Sequence, residues 1–233
     1  MSMLVVSELS GLDNVSLFNG LANDQLSRLS VLLRRKTFLA GDTIMNVEQM
    51  GETVYFILDG AVKIYVRQED GTDVIISVLG PGDIVGEMSL LDNAGRCANV
   101  ATIEESTLLW MDRSAFHECL RAMPGLTHNL ACILTNRLRL ANEQIQALAT
   151  LEVECRVARQ LLIFAGKFGE TAPTGDIFIS IRLTQTDIAG LVGASRERIN
   201  KIMVSYKERK YISVDQDHHI TVHNRKALAS RCH

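Results

Sequence analysis

Two stretches of this 233-residue chain carry residues whose types and spacing suit chemistry. The first is Gly86-Glu87-Met88-Ser89-Leu90-Leu91-Asp92-Asn93-Ala94-Gly95-Arg96-Cys97-Ala98. It lies between two apolar runs, opens on Gly-Glu and closes on an arginine. A short helical turn between strands leaves backbone N–H groups free to meet an anion. Arg96 adds a fixed positive charge and forked donors that match a phosphate, and Glu87 supplies an acceptor for a hydroxyl such as a ribose 2′-OH. Together they describe a pocket for a small phosphorylated sugar. The same residues fit a second reading, in which Glu87 and Arg96 pair with each other and close the loop with no ligand.

The second stretch runs from Thr184 to Tyr211. Thr184-Gln185-Thr186-Asp187 offers an N-cap hydroxyl with a carboxylate three residues on, a capping-box start. Ile188, Leu191 and Val192 form a short apolar face, and Gly193 lets the chain turn sharply. Ser195 then caps a second helix whose inner face is Ile199, Ile202, Met203 and Tyr206. Its outer face carries Arg196, Glu197, Asn200 and Lys201. Two helices about a glycine turn, the second polar and basic near its start, describe a helix-turn-helix. Arg or Lys can donate twice to guanine O6 and N7, and a carboxylate accepts from cytosine N4. Thr186 and Ser195 suit phosphate oxygens and would fix the register. A core helical hairpin can look alike, but the inner/outer division of the second helix favours the DNA-reading alternative.

These stretches need elements to hold them. Leu126 to Thr150 reads as one helix of about 37 Å at 1.5 Å per residue. Ala131, Leu134, Leu138, Ala141, Ile145 and Leu148 recur at 3-4 spacing, the seam along which two helices lie together. Such a helix is either a core helix or a dimer spine between two domains. Before it, half of the 16 glycines fall between Gly41 and Gly95 and separate short β-branched runs. These are Val54–Leu58, Val62–Val66, Val74–Val78 and Ala98–Thr102, with Ser106–Met111 after them. Asp59-Gly60 predicts a hairpin and Gly80-Pro81-Gly82-Asp83 a tight turn. Short strands at near-regular spacing predict a small antiparallel β-roll or jelly roll. Asn23 is expected to cap an early helix, Glu152 to Phe168 to form another, and Gly169 to Gly175 to be a loop. The expected class is α+β, divided into residues 1–125, a linking helix 126–150 and a helical unit 151–233.

Composition narrows the function. Residues 1–150 hold 11 Lys/Arg against 18 Asp/Glu, while residues 151–233 hold 13 against 9 and four of the six His. That asymmetry points to a polyanion partner for the second half; a solvated basic face is the plainer alternative. No apolar run reaches the roughly 20 residues needed to cross a bilayer, and the start has no signal-peptide pattern. Five scattered cysteines without a C-x-x-C pair suggest reduced thiols in a cytoplasm. Cys97 is expected to be small and buried. His218-His219 reads as a polar turn and no metal is assigned. Neither G-x-S-x-G nor a P-loop occurs, so no catalytic residues are assigned.

The segment Gly86–Ala98 resembles the phosphate-binding cassette of cyclic-nucleotide-binding domains, together with the glycine-bounded strands before it. Val192-Gly193-Ala194-Ser195-Arg196-Glu197-Arg198-Ile199-Asn200-Lys201 resembles the recognition motif of the CRP/FNR family of bacterial transcription regulators. Tyr211–Val214 and His219–Val222 look like the two strands of that family's wing. The resemblance spans roughly residues 15–225. It implies a cyclic-nucleotide-binding β-roll, a dimerisation helix and a winged helix-turn-helix. It further implies a homodimer that binds palindromic double-stranded DNA and works with RNA polymerase, with cyclic AMP as a non-covalent effector. Gly86, Glu87, Met88, Arg96 and Cys97 would then line the effector site, Glu87 on the ribose and Arg96 on the cyclic phosphate. Three departures stand out. Cys97 replaces the usual Ser or Thr, Ala141-Asn142 stand where polar residues face the base, and Lys201 replaces a common Arg. A pocket that has become vestigial in a constitutive or redox-responsive DNA binder is the alternative. On the effector reading, Arg96→Ala abolishes the response and leaves the fold intact.

Overall fold

A computed structural model describes residues 11–92 and 94–232, and these fall into two compact units. One comprises the chain up to Tyr65 with Val78–Arg139; the other comprises Val66–Ser77 and the chain from Leu140 onward.

After two short 3-10 turns the chain forms α1 (Asn23–Leu32), β1 (Arg34–Phe38), β2 (Thr43–Met45), β3 (Thr53–Asp59), β4 (Val62–Arg67), β5 (Asp73–Leu79) and β6 (Ile84–Val85). A single helical turn, α2 (Met88–Leu91), comes before β7 (Asn99–Thr102) and β8 (Ser106–Asp112); α3 (Arg113–Ala122) and α4 (Pro124–Thr150) follow. The strands make two four-stranded sheets, ordered β1-β8-β3-β6 and β2-β7-β4-β5. Phe38, Ile57, Val85 and Leu108 of the first meet Met45, Val62, Leu79 and Val100 of the second in one buried cluster. The opposite face of the first sheet, with Val54, Phe56, Leu109 and Met111, is covered by Phe18, Leu26, Phe116, Leu126 and Leu130. Both faces of β3 are therefore buried, which is why Val54–Leu58 reads as an unbroken apolar run instead of an alternating one.

Three local expectations change. Asp59-Gly60 does not close a hairpin, because β3 and β4 lie in different sheets and the turn carries the chain from one layer to the other. Gly60 is required there. Its φ is +82°, and a Cβ would lie 2.4 Å from Ser106 Oγ and 2.5 Å from the Glu105 carbonyl oxygen. Gly60→Ala is expected to lower stability by about 2–3 kcal/mol, read as a lower urea midpoint; an unchanged midpoint would contradict this packing. Asn23 is the first residue of α1 and not its cap; Gln25 Oε1 accepts the preceding Ala22 N–H at 3.0 Å. The long helix starts at Pro124, two residues early, since proline at the first helical position gives up an N–H that has no partner there. The turn at Gly80–Asp83 forms as expected, with Asp83 N–H donating to Gly80 O at 3.0 Å.

The second unit contains α5 (Val153–Lys167), β9 (Gly169–Thr171), β10 (Ile177–Ile179), α6 (Gln185–Val192), α7 (Arg196–Glu208), β11 (Ile212–Val214), β12 (Ile220–Val222) and α8 (Arg225–Ala229). The four strands form one sheet, ordered β11-β12-β10-β9. Sequence reading took Gly169–Gly175 for loop alone, but its first three residues are β9. All three are exposed, so no hydrophobic alternation marks them. Val157, Leu161 and Phe164 of α5, Ile188 and Val192 of α6, and Ile199, Met203 and Tyr206 of α7 are buried. The hydroxyl of Tyr206 donates to the Glu154 carbonyl at 2.9 Å, which removes an unpaired polar atom from this core. Ile75 of β5 is also buried, and Asp73 O lies 2.7 Å from where a side chain on Gly190 would begin. Only glycine at that point of α6 admits the β5 backbone.

Candidate functional site

β6 delivers the chain to Gly86, whose φ of +90° turns it into α2. A Cβ at Gly86 would sit 2.7 Å from Arg96 Nη1 and 2.6 Å from Met45 Cε, so glycine makes room for the guanidinium. Arg96 is almost fully buried and donates from Nη1 to Gly86 O at 2.8 Å and Ser89 Oγ at 2.9 Å. From Nη2 it donates to Thr53 O at 2.6 Å and Thr53 Oγ1 at 3.3 Å. Burial pulls its pKa below the usual arginine value, but a guanidinium remains charged at any physiological pH. One arginine thus ties together β3, the β6–α2 turn and α2.

Glu87 is 1% exposed and pairs with neither Arg96 nor solvent. Its Oε1 accepts from Arg137 Nη1 at 2.7 Å, and Arg137 Nη2 donates to Ile84 O. The internal Glu87–Arg96 pair anticipated as the ligand-free alternative is therefore replaced by a pair between the cassette and α4. A carboxylate has about four lone-pair sites, and Arg137 engages one oxygen of it. Sequence reading missed Arg137, Ser89 and Thr53. The available signal for Arg137 was its place on α4, one turn before Ala141.

Met88 is exposed, and so is Cys97, against the expectation that it is buried. Arg96 and Ala98 on either side of it are buried, and Cys97 lies at the bend between them that leads into β7, with its side chain outward. Ala141 and Asn142 are both exposed on the part of α4 that belongs to the second unit. Two surface depressions in the first unit are lined by Glu52, Asp112, Arg113, Ser114, His117 and Arg121 (about 520 Å³) and by residues around Arg28 and Met123 (about 300 Å³). Neither is lined by Glu87, Arg96 or Arg137.

In the second unit Thr184 and Asp187 complete the capping box: Thr184 Oγ1 accepts from Asp187 N–H and the Asp187 carboxylate accepts from Thr184 N–H, each at 3.1 Å. Gly193 ends α6 in the left-handed conformation, φ +63°. Ser195 caps α7 by accepting from Arg198 N–H at 3.2 Å. Ile199, Ile202, Met203 and Tyr206 are buried, and Arg196, Glu197, Asn200 and Lys201 lie together on the exposed face. Thr186 is also exposed at the start of α6. Arg156 binds two helix ends, donating to Val192 O at the end of α6 and to Leu151 O just past the end of α4 at 2.9 Å each, where carbonyls lack helical partners. His218 takes φ +67° in the β11–β12 turn, and Asp215 accepts from His219 N–H at 2.8 Å. Among the described residues no group of three or more His, Cys, Asp or Glu is placed to hold a metal. No described helix is long and apolar enough to cross a membrane.

From Leu138 onward the seam on α4 faces outward, whereas Leu134 packs against the core of the first unit. Leu138 is 63% exposed, Ile145 64% and Leu148 46%, so this helix is no core helix of the single chain over that stretch.

Comparison with known proteins matches residues 35–123 to the cyclic nucleotide-binding domain and residues 155–231 to the Crp-like helix-turn-helix domain. The chain is 34% identical over 204 residues to the CRP-like cAMP-activated global transcriptional regulator of Mycobacterium tuberculosis, covering 88% of this chain and 91% of that one. It is 30% identical over 192 residues to the cyclic AMP receptor protein of Thermus thermophilus, covering 82% and 85%. Among solved structures, FixK2 from Bradyrhizobium japonicum superimposes with a TM-score of 0.75 at 18% identity, covering 85% of this chain and 96% of that one, a likeness of fold.

Proposed function

We propose, because the chain belongs to the CRP/FNR family of transcription regulators, that it acts as a homodimer whose DNA affinity is set by cyclic AMP in the β-roll. The family binds DNA through its helix-turn-helix and its members are regulators, not enzymes. The observation that carries the finer reading is the buried Glu87 carboxylate held by Arg137, with the Arg96 guanidinium bonded to the carbonyl of the preceding Gly86. A ribose hydroxyl would donate to Glu87, and a cyclic phosphate would take N–H donors of Arg96 and of the first turn of α2. Gly86 precedes that turn and Met88 begins it, and Cys97, Ala141 and Asn142 are the further effector contacts in this proposal. The names of the two relatives above support cyclic AMP as the nucleotide.

The geometry suggests how binding would travel. Arg137 is bonded to Glu87 and is followed directly by Leu138 of the seam. A ligand that shares the Glu87 carboxylate alters the pull on Arg137, and hence the register of α4 against a partner helix. It can shift the equilibrium only by its differential affinity for the two dimer arrangements. Recognition helices related by a two-fold axis would require an inverted-repeat site with half-site centres about 34 Å apart. As a regulator at promoters, the dimer would work alongside RNA polymerase.

Fluorescence anisotropy on an inverted-repeat duplex, with and without cyclic AMP, tests the gating. Equal affinity at saturating nucleotide sinks it and leaves DNA binding standing. One observation favours the vestigial-pocket alternative: both terminal nitrogens of Arg96 are already bonded within the chain. No calorimetric heat with cyclic AMP, together with tight DNA binding by the nucleotide-free protein, would select that reading. Exposed Cys97 admits a redox version, which an unaltered peroxide response in Cys97→Ser would eliminate. In the reading half, Arg196, Glu197, Asn200 and Lys201 contact bases, while Thr186 and Ser195 contact phosphates. Glu197→Ala should relax discrimination at one base pair by about 1–3 kcal/mol. A uniform fall across all sequences would mean that Glu197 reads no base.

A further inference from the structure

We infer that Asn200 reads the adenine of an A·T pair and that Gln185, on the preceding helix, is the positioning residue that sets its carboxamide for that task. The inference rests on α7 being the helix that reads DNA. Gln185 is the first residue of α6 and Asn200 the fifth of α7. Gln185 Nε2 donates to Asn200 Oδ1 at 3.0 Å across the exposed face of the two helices. Asn200 follows Arg196 by one helical turn and lies beside Glu197 and Lys201, so it shares their outward face.

A lone exposed asparagine rotates about its last bond and can offer either end of its carboxamide. Adenine demands one sense of it: the oxygen must accept from N6 while the amide donates to N7. With its amide nitrogen turned toward Asn200, Gln185 holds that sense. The bond occupies one lone pair of Oδ1, leaving the second lone pair and the Nδ2 hydrogens on the adjoining edge, the pair of groups that adenine matches. It also removes rotational freedom that docking would otherwise have to freeze. Guanine offers only acceptors at O6 and N7 along this edge, so the oxygen of a carboxamide held in this way would face an acceptor without a hydrogen. The amide end of Gln185 is the necessary element: a residue that offers only acceptors at the same position would turn Asn200 over.

The test is selection of bound duplexes from a randomised inverted-repeat library by the purified full chain with saturating cyclic AMP. Asn200→Ala identifies the position that Asn200 faces, as the one whose preference flattens. The parent protein is expected to select A·T there. Gln185→Ala should reduce the A·T preference about fivefold, the factor one net hydrogen bond supplies. Gln185→Lys keeps a donor toward Oδ1 and should retain the preference, whereas Gln185→Glu presents only acceptors and should lose it. Total affinity will rise with lysine and fall with glutamate because of the phosphates, so the readout is the ratio between bases at that one position. Selection of G·C by the parent overturns the inference, as does an A·T preference that survives Gln185→Ala and Gln185→Glu unchanged. Failure of the parent to enrich any inverted repeat is a different result: it removes the DNA-reading premise, and the inference with it.

Discussion

Arg96→Ala is expected to lower the stability of the first unit by about 3–5 kcal/mol and to abolish cyclic AMP binding in the same step. The sequence alone suggested that this substitution would leave the fold intact. The structure argues otherwise, because the guanidinium satisfies the carbonyls of Gly86 and Thr53 and the hydroxyl of Ser89 from a nearly buried position. Removing it takes these donors away, leaves Gly86 O and Ser89 Oγ only their long mutual bond of 3.3 Å, and opens a void beside Met45, whose methyl carbon borders Gly86. The two effects can be read separately. Trp110, the single tryptophan, lies in β8, so its fluorescence in urea reports unfolding of the first unit alone. Calorimetry below the unfolding midpoint reports the nucleotide. An unchanged midpoint would refute the structural role of Arg96, and an unchanged heat of binding would refute its phosphate role.

The second large effect is expected at the seam. Ile145→Glu should convert a dimer into a monomer in sedimentation and weaken binding to an inverted-repeat duplex by roughly 10²–10⁴-fold, the span that linking two reading heads supplies. The same change should alter the stability of the single chain by no more than about 0.5 kcal/mol, since Ile145 is 64% exposed there. A charge in an apolar helix–helix contact has no such latitude. Sedimentation of Ile145→Glu as a dimer would mean that the seam is not the interface. A large loss of monomer stability would mean that Ile145 packs within its own chain.

Much of the fold was legible because its signals are local. The capping box at Thr184–Asp187, Ser195 before α7 and Gly193 at the turn each act over no more than four residues, and each forms as the sequence indicates. The inner face of α7 follows from helical periodicity alone. What eluded sequence reading depends on partners distant along the chain. Asp59-Gly60 has the composition of a hairpin, yet which sheet receives β4 is decided by its pairing with β7, residues 99–102. β9 is too short and too exposed to announce itself. Burial of Cys97 was inferred from residue type, and its place at a bend before β7, between two buried residues, overrode it.

The candidate site divides in the same way. By itself the sequence determined that a glycine, a carboxylate and an arginine flank a short turn, and that a basic, polar helix face follows a glycine turn. Those are matters of residue type and spacing, which a linear text preserves. Only the tertiary structure decided what each group is bonded to. Glu87 joins Arg137, 50 residues away, and Arg96 joins Thr53, 43 residues away. Gln185 meets Asn200 across two helices. Charge and hydrogen-bonding capacity are properties of a residue, but their satisfaction in a buried or crowded place is a property of three-dimensional neighbours. No spacing rule encodes it.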